Sequence, residues 1–219
     1  MKITKRELLS KVDHSLLKPQ LTQEEIMEGL EFAKENHCAS VCINPCNLDM
    51  ARAVLEGTDV KIGTVIGFPS GAHTTFSKVA EAVDAYAKGA VELDMVIDIG
   101  ALRNGEYDAV REDIKAVVDA TPGIVKVILE NAYLTKAEIK IASELVEQAG
   151  AAYVKTSTGF APSGATAEDI RIMRAAVSPK IKVKAAGGIN TLADCIALIE
   201  AGSDRIGISK TKAILAEFD

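Results

Sequence analysis

Residues 91–95 read Val91-Glu92-Leu93-Asp94-Met95, with the acids on one parity and the apolar residues on the other. Side chains alternate across a β-strand with period two, so this stretch predicts a strand with one apolar and one acidic face. Lys180-Ile181-Lys182-Val183-Lys184 repeats the pattern with lysines on one face. Tyr153 and Lys155 oppose Val154, while Lys126, Ile128 and Glu130 oppose Val127 and Leu129. Parallel strands covered on both faces normally run continuously apolar. Here the apolar parity is expected to pack on helices and the charged parity to point into the interior of a barrel.

Working outward, short strand-like runs alternate with longer segments of helical period. Strands are expected at 11–16, 40–44, 61–67, 91–96, 125–130, 152–156, 181–185 and 205–208. Thr22-Gln23-Glu24-Glu25 and Thr135-Lys136-Ala137-Glu138 read as capping boxes, and Thr166–Asp169 and Thr191–Asp194 carry the same start signal with Asp. Gly57, Gly89, Gly150 and Gly202 fall where helices should stop. Strand ends recur at intervals of roughly 23 to 36 residues, the size of one βα unit. Eight units without a linker predict one (β/α)8 TIM barrel over residues 1–219, an α/β fold near its lower length limit. A doubly wound open sheet is the rival, and it more often uses five or six strands.

The chain has 219 residues, 48% of them hydrophobic and 26% charged, and 31 acids against 25 bases leave a net charge of −6. That balance disfavours nucleic acid as a partner. No apolar run approaches the ~18 residues of a membrane span. The stretch from Met1 to Leu9 is charged and lacks the apolar core of a signal peptide, so a cytoplasmic protein is expected. Cys38, Cys42 and Cys46 are spaced four apart, but zinc sites usually open with closer pairs and add a second pair or histidines. No metal site is expected. His73 belongs in a loop beside a helix start, and His14 beside Asp13 is ambiguous.

Charges inside a packed barrel must pair or lie near its opening. Asp94, Lys155 and Lys184 are expected late in their strands, at the end where barrel active sites are built. They form either a structural ion-pair network or a reactive group, because a buried ammonium without a partner sheds its proton and becomes a nucleophile. With the two lysines on adjacent-but-one strands, ~5 Å apart at an effective dielectric of ~20, their repulsion is about 3.3 kcal/mol. That lowers one lysine from about 10.4 to about 8. At the same end, Gly187-Gly188 after the seventh strand, Gly207-Ile208-Ser209 after the eighth, and a short last helix within 209–218 suit a phosphate group. Thr158 and Gly159 join that mouth.

These residues resemble the deoxyribose-phosphate aldolases, a family of Schiff-base (class I) aldolases. The matching stretches are Asp13-His14-Ser15-Leu16-Leu17-Lys18-Pro19, Val41-Cys42-Ile43-Asn44-Pro45, Ile66-Gly67-Phe68-Pro69 and Glu92-Leu93-Asp94-Met95-Val96-Ile97. Val154-Lys155-Thr156-Ser157-Thr158-Gly159-Phe160, Val183-Lys184-Ala185-Ala186-Gly187-Gly188-Ile189 and Arg205-Ile206-Gly207 complete the set, in order along nearly the whole chain.

The resemblance implies that Lys155 forms the imine and that Lys184 lowers its pKa and assists proton transfer. It implies that Asp94 gives and takes protons through a bound water, with Asp13 in support. Thr158, Gly159, Gly187, Gly188, Gly207 and Ser209 are implied as substrate contacts on the phosphate side. The implied reaction is reversible cleavage of 2-deoxy-D-ribose 5-phosphate to D-glyceraldehyde 3-phosphate and acetaldehyde. It needs neither metal nor organic cofactor, and the implied assembly is a homo-oligomer, a dimer or tetramer. Lys210-Thr211 after Ser209, Phe160 where some relatives carry lysine, and the end at Asp219 depart from the family pattern. The alternatives are another phosphosugar aldolase or isomerase on the same barrel, and a sugar-phosphate binder without catalysis.

Overall fold

The structure, a computed structural model, describes residues 3–218. Met1, Lys2 and Asp219 lie outside the described residues. Eight parallel strands close into a ring: β1 (Val12–Leu16), β2 (Ser40–Ile43), β3 (Lys61–Ile66), β4 (Glu92–Val96), β5 (Ile124–Ile128), β6 (Tyr153–Lys155), β7 (Lys182–Ala186) and β8 (Arg205–Ile208). Closure comes from β1 against β8, where Asp13 pairs with Gly207. The eight-unit barrel read from the sequence is therefore the fold.

Helices fill the connections: α1 (Lys5–Leu9) before the barrel, then α2 (Gln23–Glu35), α3 (Leu48–Leu55), α4 (Thr75–Ala87), α5 (Ile99–Arg103), α6 (Tyr107–Ala120), α7 (Lys136–Gln148), α8 (Ala167–Ala176), α9 (Leu192–Glu200) and α10 (Thr211–Leu215). Thr22, Thr135 and Thr191 make complete capping boxes, and Thr166 accepts the Asp169 N–H. Each satisfies backbone donors that the first helical turn leaves without partners. Gly57, Gly89, Gly150 and Gly202 all take positive φ just past helix ends. The short α1 was hidden within a charged run. Its Thr4 makes a fourth capping box, and it buries Leu8 and Leu9.

The main apolar core lies between the strand ring and the helices. Leu93 and Met95 of β4, Val127 of β5, Val154 of β6 and Val183 of β7 belong to it, beside Leu30, Ile114 and Val146 from the helices. Each such side chain contributes about 1.5–3 kcal/mol on burial. Inside the ring the opposite parity holds Asp13, Glu92, Asp94, Lys126, Lys155, Lys184 and Arg205, all buried.

Two expectations need correction. Lys180 and Lys182 are exposed, because they lie before and at the start of β7, where solvent reaches the chain. Of that lysine face only Lys184 is buried. Val91 precedes β4 and is also exposed. Among the described residues no helix is long and apolar enough to cross a membrane.

Candidate active site

Lys155 ends β6 and Lys184 lies in the middle of β7, and the two are direct partners across neighbouring strands. They are not on adjacent-but-one strands: closing eight short strands puts consecutive units side by side. Asp94 lies mid-strand in β4, so the charged cluster is sunk within the barrel.

Both lysines donate to one atom. Lys155 Nζ and Lys184 Nζ each stand 2.7 Å from Asp94 Oδ2. Two nitrogens that close to one oxygen are separated by no more than twice that distance, which matches the expected repulsive contact. Lys184 also pairs with Asp13 Oδ2, so it has two carboxylates where Lys155 has one. Asp94 Oδ1 accepts no hydrogen bond, with Lys126 Nζ 3.5 Å away.

The protonation balance follows from these contacts. Burial lowers the pKa of Lys155; Asp94 opposes this, Lys184 reinforces it, and the net shift is downward. Burial also disfavours the Lys184 ammonium, but Asp13 and Asp94 outweigh it and hold Lys184 above the usual lysine range. Burial would raise both carboxyls. Lys126, Lys184 and Arg205 hold Asp13 well below the carboxylate range, and Lys126, Lys155 and Lys184 do the same for Asp94. The arrangement thus makes Lys155 the easier of the two ammoniums to deprotonate, beside two carboxylates that stay charged.

A cavity of about 470 Å³ opens above the cluster. Asp13, Lys155 and Lys184 line it, and Thr158, Gly159, Gly187, Gly188, Gly207 and Ser209 line it too. Asp94 is reached through the two lysines that touch it. Gly187 has a φ of 79°, and a Cβ there would sit 3.2 Å from Gly164 Cα and 3.3 Å from Ser157 Cβ, so both conformation and space call for glycine. Thr158 lines the cavity, but its N–H and hydroxyl both donate to Glu130. Phe160 meets Phe68 edge-on at 5.3 Å, joining the loops after β6 and β3.

Several neighbours went unassigned at the sequence level. Lys126 Nζ donates to Asp13 Oδ2 at 2.7 Å and to Glu92 Oε2 at 2.5 Å. Arg205 Nε donates to Asp13 Oδ1 at 2.8 Å, and its Nη2 lies 3.2 Å from Glu92 Oε2. Strand parity already placed Glu92 with Asp94, and Lys126 with Glu130, on one face. Arg205 had no comparable signal. Glu130 is not in the strand: it takes a left-handed conformation (φ 58°) just after β5 and accepts from Thr158. Cys42 Sγ lies 3.9 Å from Asp94 Oδ2, and burial, with Asp94, pushes its thiol up to about 11.

The histidines stand apart. His14 Nδ1 is 2.9 Å from Thr211 Oγ1, and its ring packs on Phe32. His73 is exposed ahead of α4.

A model of the DeoC/LacD aldolase family matches residues 7–216. A deoxyribose-phosphate aldolase from Thermoanaerobacter sp. (strain X514) is 51% identical over 212 residues, covering 95% of each chain. The solved structure of an aldolase named QR15 superposes with a TM-score of 0.92 at 43% identity, over 97% of this chain and 96% of that one. A deoxyribose phosphate aldolase from Aeropyrum pernix, described as a unique tetramer, has a TM-score of 0.91 at 29% identity, over 98% of this chain and 92% of that one.

Proposed function

We propose, from the premise that the chain belongs to the DeoC/LacD aldolase family, that it reversibly cleaves 2-deoxy-D-ribose 5-phosphate to D-glyceraldehyde 3-phosphate and acetaldehyde through an imine on Lys155. The observation that carries the reading is the sharing of Asp94 Oδ2 by Lys155 and Lys184 beneath a glycine-lined cavity. A lysine poised to lose its proton beside one held as a cation is what imine chemistry requires.

In this reading neutral Lys155 adds to the C1 aldehyde, and loss of water leaves a protonated imine. A base removes the C3 hydroxyl proton, the C2–C3 bond breaks, and its electron pair flows to the imine nitrogen. Glyceraldehyde 3-phosphate leaves, and the resulting enamine is protonated on carbon. Water then releases acetaldehyde and regenerates the amine. Asp94 and Lys184 carry these protons, with Asp13 keeping Lys184 charged. The free acceptor of Asp94 Oδ1 suits it to take a proton. Gly159, Gly187, Gly188, Gly207 and Ser209 hold the phosphate through backbone donors and a hydroxyl, and Thr158 shapes the wall that Glu130 fixes.

Incubation with substrate and borohydride tests this directly. A reduced adduct on the Lys155 peptide, together with acetaldehyde release, is the expected result. An adduct without acetaldehyde assigns another aldol substrate on the same site, and no adduct overturns the imine.

Self-association belongs to the same proposal. Phe76 of α4 is 82% exposed, and Val83 and Tyr86 of that helix are exposed as well. We place this face against a second copy of the chain, so Phe76→Ser should lower the mass measured by light scattering. Four free cysteines suit a reducing cytoplasm.

A further inference from the structure

The interior of the barrel holds a linked set of charges with unequal sides. Asp13, Glu92 and Asp94 supply three carboxylates, and Lys126, Lys155, Lys184 and Arg205 supply four nitrogen bases; none is more than 8% exposed. Contacts connect them all. Arg205 bonds Asp13 and Glu92, Lys126 bonds the same two acids, Lys184 bonds Asp13 and Asp94, and Lys155 bonds Asp94 alone. Barrels of this kind usually fill their interior with branched aliphatic side chains. Buried ions are costly to desolvate, so an ionic interior is not explained by stability.

Neither Arg205 nor Glu92 lines the cavity or touches Lys155. Yet Arg205 takes up the Oδ1 side of Asp13, leaving Lys126 and Lys184 to share Oδ2. Lys184 therefore leans on Asp94 as well, and among the described residues Asp94 is the only carboxylate in ion-pair contact with Lys155. Other groups near Lys155 lie outside this bonded set. Burial keeps the Cys42 thiol protonated, and buried Glu130 beyond β5 bonds Thr158 and acts on Lys155 only from a distance. Lys61 reaches Glu92 at 3.9 Å from its half-exposed position on β3, and so adds to the cationic side.

We propose that Arg205 is a positioning residue that favours loss of the Lys155 proton from a distance, by making the cations of this bonded set outnumber its carboxylates. The surplus proton leaves from the group with the weakest hold on a carboxylate, and that group is Lys155. The inference rests on the proposed imine role of Lys155.

The test is the pH dependence of cyanoborohydride trapping with acetaldehyde, quantified on the Lys155 peptide. Arg205→Met makes the count equal and should move the midpoint up by about one pH unit, the effect of one unit charge ~10 Å away at an effective dielectric of ~20. Arg205→Lys keeps the cation and should restore the wild-type midpoint. Glu92→Gln removes an anion and should move it down. Opposite signs from two charge changes outside the cavity are not produced by general loosening of the fold.

An unshifted midpoint in folded Arg205→Met overturns the proposal. If that variant does not fold, Glu92→Gln decides alone, and an unchanged or raised midpoint overturns it. A wild-type chain without any Lys155 adduct overturns the functional reading, and this proposal with it. A trapped wild type with invariant midpoints overturns the charge count and leaves the function standing.

Discussion

An ammonium facing two carboxylates and one facing a single shared carboxylate respond differently to the same burial. Lys184 keeps its proton because Asp13 and Asp94 both hold it, while Lys155 must divide Asp94 with a competitor. Replacing Lys184 with Leu should therefore leave a folded barrel by circular dichroism and lower kcat by at least about a hundredfold, as expected for loss of a proton-transfer group. Near-normal turnover in that variant at neutral pH would remove Lys184 from the mechanism. Asp94→Asn should impair turnover similarly, because an amide cannot take up the proton.

His14 makes a separate prediction about stability. Burial lowers its pKa to about 4, below the unperturbed value of about 6.5. The unfolded chain thus binds a proton that the folded chain refuses between those values. Stability from this group is complete above about pH 6.5 and falls as the pH drops toward 4, by up to about 3 kcal/mol. Thermal melts across this window should show the decline in the wild type and a flatter profile in His14→Gln. The wild-type loss begins well above the range in which Asp13 and Asp94 protonate.

Among the elements, the loop between β6 and α8 is held to the glycine-rich end of β7 by backbone bonds and by the Thr156 hydroxyl on Ala186. Ala165 N–H donates to the carbonyls of Ala186 and Gly187. A Cβ on Gly164 would lie 2.1 Å from the Gly187 oxygen and 2.7 Å from the Gly188 nitrogen, and neither can turn aside as a side chain could. Gly164→Ala should raise KM for deoxyribose 5-phosphate by about tenfold to a hundredfold, the scale of an ångström misplacement. Trapping with acetaldehyde, which has no phosphate, should change little. Equal losses with both ligands would show that the loop serves the amine and not the phosphate end.

At this scale the sequence was readable where chemistry is local. Threonine followed by an acid three residues later marked true helix starts at Thr22, Thr135, Thr166 and Thr191. Gly164 was not readable, because its requirement comes from a loop more than twenty residues away. Arg205 escaped for the same reason: as the first residue of β8 it resembles any charged strand end, and only closure against β1 brings Asp13 to it.

For the whole molecule, charges divide into buried and exposed sets. The interior ions are buried, three of them beneath the cavity, whereas Lys18 and Lys210 line the cavity from exposed positions. At ~0.5 M salt the screening length falls to about 4 Å. KM for a phosphorylated substrate should then rise, while the pH midpoint of Lys155 trapping stays fixed. A midpoint that moves with salt would mean that water penetrates the charge cluster. The alternating parity that revealed the strands also separated these sets in part, with Lys180 and Lys182 as the exceptions that strand ends impose.

The ring closes between its first and last strands, and the Asp13–Arg205 contact spans that seam. A nascent chain therefore carries Lys155 before Lys184 and Arg205, the last two charges of its cluster. Until β8 joins β1 the ring stays open, so the complete charge cluster around Lys155 exists only when both ends of the barrel sequence are present.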